Sequence, residues 1–311
     1  RMATLIEELS TGRAADISRH LSGSYSYLAD IDRNLALLDG YETATSEAKV
    51  FTQSMQDALD GFQAVGSDLG AALISTAGSN LPQVAETVSA RAGEDLNIML
   101  AKLNTNVAGR FLFAGVATDD RPLSTADTVL TALRTDLAGE TTLIGIETRL
   151  DAWFAPGGAF DTTAYQGATV SLPPFSLGSG ETVALDLRGD DPAIRTLLRN
   201  VAMAALATDP SLGLSHDLQK DMLLEAGKGL TFDHSGLTRI RADLGHAQAR
   251  IEESAARIAA ERSSFQIART ELLSVDPYET VTDLEDVQFQ LESLYTITAR
   301  LSRLTLTDYL R

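Results

Sequence analysis

Cysteine is absent from the 311 residues. That excludes disulfides and Cys-ligated metals, and it leaves the redox compartment open, since oxidising and reducing surroundings both tolerate a thiol-free chain. Basic residues are few: 25 Lys and Arg stand against 43 Asp and Glu, a formal net charge of −18. A nucleic-acid partner needs clustered cations to neutralise phosphates, so that class is disfavoured, and the surplus carboxylates serve solubility. Long apolar runs are missing as well. The longest, such as Val201 to Ala207, fall far short of the ~20 residues needed to span a bilayer. No charged-then-apolar signal peptide is evident. The chain opens on Arg1 and enters a helical pattern at once, which leads us to expect that the natural N-terminus lies upstream.

What is present is apolar periodicity. The hydrophobic share of 44% is enough for real cores, and the length leaves room for two domains. Leu237, Leu244, Ile251, Ile258, Phe265 and Leu272 stand seven apart, one face of a helix of about 36 residues and roughly 54 Å. A second register follows in steps of three and four: Leu284, Val287, Leu291, Leu294, Thr298 and Leu301. Such helices must lie along other long helices, of this chain or of neighbouring copies. The first stripe is expected to be covered within the chain. The second, from Leu284 to Leu310, has too little of this chain to cover it and is expected to pack against other molecules.

Upstream, a short helix (Met2 to Leu9) breaks at Thr11-Gly12-Arg13, and a long helical stretch runs from about Ile17 to Thr76, with a shift of its stripe beside Gly40. Gly78-Ser79-Asn80 ends it. Pro82 sits in the first turn of the next helix, which stops near Gly109. Between about Val116 and Asp191 the character changes: half of the prolines lie here, some helix is expected from Thr125 to Leu137, and Ala168 to Leu172 and Glu181 to Leu187 read as strands. Helix resumes with Asp191 as N-cap and Pro192 in the first position, continues over His216 to Lys228, and is interrupted at Ser274-Val275-Asp276-Pro277. The predicted fold is mainly α: an elongated antiparallel helical bundle or coiled coil built from both ends of the chain, with a small α+β domain inserted in the middle. Its parts are a helical rod at 1–115, an insert at 116–190, the returning rod at 191–275, and a terminal helix for axial assembly at 276–311.

No catalytic constellation stands out. His20, His216, His234 and His246 are scattered, with no metal-ligand spacing. Gly178-Ser179-Gly180 is a turn rather than a nucleophile elbow, and no phosphate-binding glycine motif occurs. Asp190-Asp191 and Asp283-Glu285-Asp286 lack EF-hand spacing and read as caps and solvated acidic faces. An enzyme, a cofactor and a metal are not predicted.

At the end of the third helix the chain reads Gly109-Arg110-Phe111-Leu112-Phe113-Ala114-Gly115. This segment resembles the Gly-Arg-aromatic-Leu-Phe-small-Gly signature of the hook–filament junction proteins of bacterial flagella (hook-associated protein 3), a flagellin-like family. The signature positions are Gly109, Arg110, Phe111, Leu112, Phe113 and Gly115. Three further stretches are similar to the family: Leu9 to Arg13, Tyr165-Gln166-Gly167 with the strands after it, and the ending from Asp283-Leu284 through Gln288, Leu291, Tyr295, Leu301, Leu304 and Leu306 to Tyr309-Leu310-Arg311. The Asp-Asp-Pro that often follows the first turn is missing from Ala14 to His20. Physically, Gly109 breaks a helix, and Phe111 and Phe113 form an extended piece able to anchor the insert; a helix C-cap with buried aromatics explains the same residues.

The resemblance implies an extracellular structural adaptor, exported unfolded through the flagellar secretion channel and assembled at the hook–filament junction. It implies as partners another hook-associated protein on the hook side, flagellin on the filament side, further copies in a ring, and an export chaperone. Leu284, Val287, Leu291, Leu294 and Leu301 would be its subunit-interaction residues. The alternatives carried forward are a flagellin filament subunit and, from another class, a cytoplasmic coiled-coil scaffold.

Overall fold

A computed structural model describes residues 1–23, 25–77, 81–232 and 235–309, with the side chains of residue 77 and residues 303–309 outside the description. The turn assigned to Gly78-Ser79-Asn80, His234, Leu310 and Arg311 lie outside the described residues, as do the side chains of Leu304, Leu306 and Tyr309.

In chain order the elements are α1 (Met2–Thr11), α2 (Ile17–His20), α3 (Ser26–Ala77), α4 (Pro82–Leu103), β1 (Asn106–Val107), β2 (Arg110–Phe111), α5 (Ala126–Leu137), α6 (Leu143–Phe154), α7 (Phe160–Thr163), β3 (Phe175–Gly178), β4 (Glu181–Val183), α8 (Pro192–Leu206), α9 (His216–Phe232), α10 (Ser235–Leu273) and α11 (Pro277–Tyr309). The fold is mainly α. Its β-structure consists of two antiparallel two-stranded sheets among the described residues, β1 with β2 and β3 with β4.

Local chemistry sets most helix starts. Side-chain oxygens of Thr125, Thr142 and Asp191 accept backbone N–H bonds and cap α5, α6 and α8. Asp276 does the same for α11, accepting from Tyr278 N at 2.8 Å, ahead of Pro277. The expected helix from Ile17 divides, because Ser22 and Gly23 adopt left-handed backbone (φ 49° and 82°); α3 then runs without a break through Gly40. The third helix ends at Leu103, short of Gly109, where the chain turns into the β1–β2 hairpin. Residues 168–172 form no strand. The strand is Phe175–Gly178, directly after Pro173-Pro174, paired with Glu181–Val183. The insert also holds an unforeseen helix, α6. Its β-branched residues fit a helix because Ile146, Leu150, Trp153 and Phe154 bury one face at helical spacing.

The chain divides into two compact units. In Thr43–Ala255, one contiguous core joins Met55, Phe62 and Leu69 of α3, Leu96 and Met99 of α4, Leu197 and Val201 of α8, Met222 and Leu230 of α9, and Leu237, Leu244 and Ile251 of α10. The first three positions of the seven-residue seam are therefore covered by the chain itself. At the other side of this core Trp153, Phe154 and Phe160 form an aromatic cluster with centroids 4.6–5.9 Å apart. Arg195 of α8, buried, lies 4.6 Å over the Phe160 ring, pairs with Asp161, and donates to Asp190 O at 2.6 Å and Ala155 O at 3.2 Å.

The second unit comprises Arg1–Glu42 with Ala256–Arg311. Here α1 packs on the first half of α11, and the two helix breaks bond to each other: Ala14 N donates to Leu273 O at 2.9 Å and Val275 N to Gly12 O at 3.2 Å. In each unit α3 and α10 pair antiparallel. Asp32 and Asp39 meet Arg269 and Arg262 (2.8 and 2.9 Å), with Glu42 also on Arg262 (2.8 Å), in one; Asp60 meets Arg241 (2.8 Å) and Lys49 meets Glu252 (3.6 Å) in the other. Each exposed pair contributes at most about 1 kcal/mol, so their effect lies in fixing the register.

Replacing Arg195 by Ala strips a buried cation from two carboxylates and an aromatic face. The expected loss is about 3–5 kcal/mol of unfolding free energy, checked by urea denaturation of variant and parent; an unchanged midpoint would refute the role given to this side chain.

Candidate functional site

Two features carry the functional question: the glycine-bounded segment at Gly109–Gly115 and the apolar surface of α11.

Asn104 ties the end of α4 to the insert in both directions, donating from Nδ2 to Leu123 O and accepting from Leu123 N, each at 2.9 Å. The chain then makes a two-residue hairpin in which Ala108 and Gly109 both have positive φ (52° and 86°), the conformation of a type I′ turn and a reason for glycine at 109. Asn106 Oδ1 accepts from Gly109 N at 2.9 Å. Arg110 pairs with Glu47 and sits 5.2 Å over the Phe51 ring, fastening the hairpin to α3.

Beyond it the chain dives inward. Leu112, Phe113 and Ala114 are fully buried. Phe113 O accepts from Gly189 N (2.9 Å), Ala114 O from Ala168 N (2.9 Å), and Tyr165 OH donates to Ala168 O (2.9 Å). Burial, and then the nearby Asp190 carboxylate, push the Tyr165 phenol up to about 12. Gly115 has φ 62°, and a Cβ there would collide with Val170 O and approach Ala168 O at 2.9 Å. All six signature positions thus lie on one path. Arg110 and Phe111 are half-buried and Gly109 lies at the surface, while Leu112 and Phe113 act as core. The aromatic that leaves the surface is Phe113, held by the strand-like segments around Tyr165; Phe111 instead directs its backbone N–H to Thr118 O at 2.7 Å.

On α11 the five predicted residues separate into two groups. Val287 is buried and Leu284 half-buried, on the part of the helix that α1 covers, where Leu5 and Thr280 are buried too. The ion pair of Arg1 with Asp283 (3.3 Å) marks the same contact. Leu291, Leu294 and Leu301 are exposed, Leu294 by 59%. Phe289, Tyr295 and Ile297 are exposed with them, and the stripe reading missed these three. A count of apolar residues around the whole helix, rather than along one seam, would have found them, because a helix apolar on several faces belongs in a buried environment.

Among the described residues no group of three His, Asp or Glu could hold a metal ion, and no helix is long and apolar enough to cross a membrane. His20 is engaged locally, its Nε2 lying 3.1 Å from Leu272 O.

Residues 233–310, covering α10 and α11, match the bacterial flagellin C-terminal helical region. No curated protein matches the sequence. Among solved structures the chain is similar to that of a protein from Vibrio parahaemolyticus described as a "putative flagellar hook-associated protein", with TM-score 0.53 and 11% identity over 79% of this chain and 95% of that one. At this identity the likeness is one of fold.

Gly115→Ala should cost about 2–3 kcal/mol through left-handed strain and the clash at Val170 O. Thermal unfolding of the two proteins checks this; equal midpoints would show that the segment tolerates a side chain.

Proposed function

We propose that this protein is a structural, non-enzymatic subunit of the bacterial flagellum, located at the hook–filament junction outside the cell. It is exported unfolded through the flagellar secretion apparatus, held beforehand by an export chaperone. It then packs by its helices against further copies in a ring, another hook-associated protein below and flagellin above. The observation that carries the reading is the uncovered apolar surface of α11 at Phe289, Leu291, Leu294, Tyr295, Ile297 and Leu301. It falls in the stretch that matches the flagellin C-terminal helical region. Such a surface is too extensive for a helix that ends its life in water.

Within the flagellum, a junction position is favoured over the filament itself by the segment Arg110 to Gly115 and by the likeness to the Vibrio parahaemolyticus protein described as hook-associated. Deleting the gene separates the two. Loss of a junction subunit leaves flagellin shed into the medium, whereas loss of the filament subunit leaves nothing to shed. Finding the protein only in the cytosol would remove both readings in favour of an intracellular scaffold.

The exposure of Leu294 sharpens a second test. Leu294→Asp places a charge where the isolated chain already meets water, so its melting temperature should stay within about 2 °C of the parent. Incorporation into flagella should nevertheless fall severely, because the same charge would be buried without a partner in the assembly. Normal incorporation, read by immunoblot of sheared flagella, would contradict the assignment of this surface.

A further inference from the structure

A half-open groove of about 360 Å³ runs between the segment after β4 and the first half of α10. Its floor is apolar, with Leu185, Ile240 and Leu244, and its rim carries Asp186, Asp191 and Asp243. Asp191 is engaged as the cap of α8, its Oδ1 accepting from Ala193 N at 2.9 Å, and burial, against that bond, raises its pKa above the ordinary carboxylate value. Asp186 and Asp243 are exposed, and among the described residues neither side chain has an ion-pair partner. Arg239 acts on Asp191 electrostatically without pairing to it. A greasy floor between unpaired carboxylates suits a long cationic side chain, which lays its methylenes on the floor and its charge at the rim.

The same unit supplies a matching surface. Lys102 and Arg121 are exposed and likewise have no ion-pair partner among the described residues. Both belong to the region at the end of α4, since Asn104 and Leu123, two residues beyond each, are joined by the reciprocal 2.9 Å bonds described above. In a chain of net charge −18, two unpaired cations in one region are a scarce feature.

We propose that the groove receives Lys102 and Arg121 of a second copy of this chain. The contact is heterologous, cation surface to acidic groove, so it repeats from copy to copy around a closed ring or along a helix. It rests on the reading of the chain as a self-assembling flagellar subunit and adds the surface by which neighbouring copies meet. Exposed ion pairs each shift an equilibrium by no more than about fivefold. The contact therefore cannot hold dilute copies together, and it forms where assembly has already raised the local concentration.

The cysteine-free chain allows a direct test in the full-length protein. Asp243→Cys and Lys102→Cys proteins are co-produced in a deletion strain, flagella are sheared off and oxidised, and dimers are read on a non-reducing gel. Asp217→Cys with Lys102→Cys serves as control, Asp217 being an exposed carboxylate on α9 away from the groove. The expected result is at least tenfold more 243–102 dimer than control dimer, with Arg121→Cys giving the same enrichment. Dimer yields equal to the control, with all variants present in the flagella, would overturn this contact and leave the flagellar reading intact. Coupling of the residue 243 thiol to a different protein would overturn the second copy as occupant. Absence of every variant, and of the parent, from flagella would overturn both.

Discussion

Burial of apolar helix surface governs this molecule, and it is satisfied in one place and left unsatisfied in another. In the unit Thr43–Ala255 the stripes of α3, α4, α8, α9 and α10 close on one another, with Phe62, Leu69, Met99, Val201 and Leu237 removed from water. On α11 the buried stretch ends at Val287. Six large apolar side chains follow in the open. Burying them would contribute on the order of 10 kcal/mol at the usual 1.5–3 kcal/mol per side chain. The exposed ion pairs along α3 and α10 contribute at most about 1 kcal/mol each. Charge therefore sets register and orientation, and the greasy surface of α11 would supply the driving force for the proposed assembly.

The glycine-bounded segment plays the opposite part. Its residues are spent inside the subunit: Gly109 permits the turn, Arg110 clamps the hairpin to Glu47 and Phe51, Phe113 fills the core, and Gly115 lets the chain pass under Val170 O. It joins the helices to the insert. The segment solves a folding problem, connecting α4 to the segments around Tyr165 and Gly189.

Much of this was legible in the residues. The cap at Asp191, proline at 82, 192 and 277, and the seven-residue seam gave helix positions and the core face of α10, since each acts through local geometry or a strict period. What escaped depended on longer-range context. The short α2 and the turn at Ser22-Gly23 sit inside a pattern that reads as continuous helix. α6 begins with the β-branched Ile144, Ile146 and Thr148 around Gly145, and its packing through Ile146, Leu150 and Trp153 decides the matter. The strand at Phe175–Gly178 was displaced in the reading because residues 168–172 have strand-like composition yet serve instead as acceptors and donors for Ala114 and Val116. For the candidate site, the stripe on α11 was visible, but a one-face reading could not reveal that Leu284 and Val287 are covered at home while Phe289, Tyr295 and Ile297 are not.

Hydrogen exchange along α11 tests the central claim most directly. A helix segment whose large apolar side chains stay in water is marginal, so amides from Phe289 to Arg300 should exchange rapidly in the dilute chain while those near Thr280 are slowed by α1. In intact flagella the 289–300 amides should become strongly protected. Equal and strong protection of both stretches in the dilute chain would mean that the terminal helix is already sealed, and the account of an assembly surface would fall.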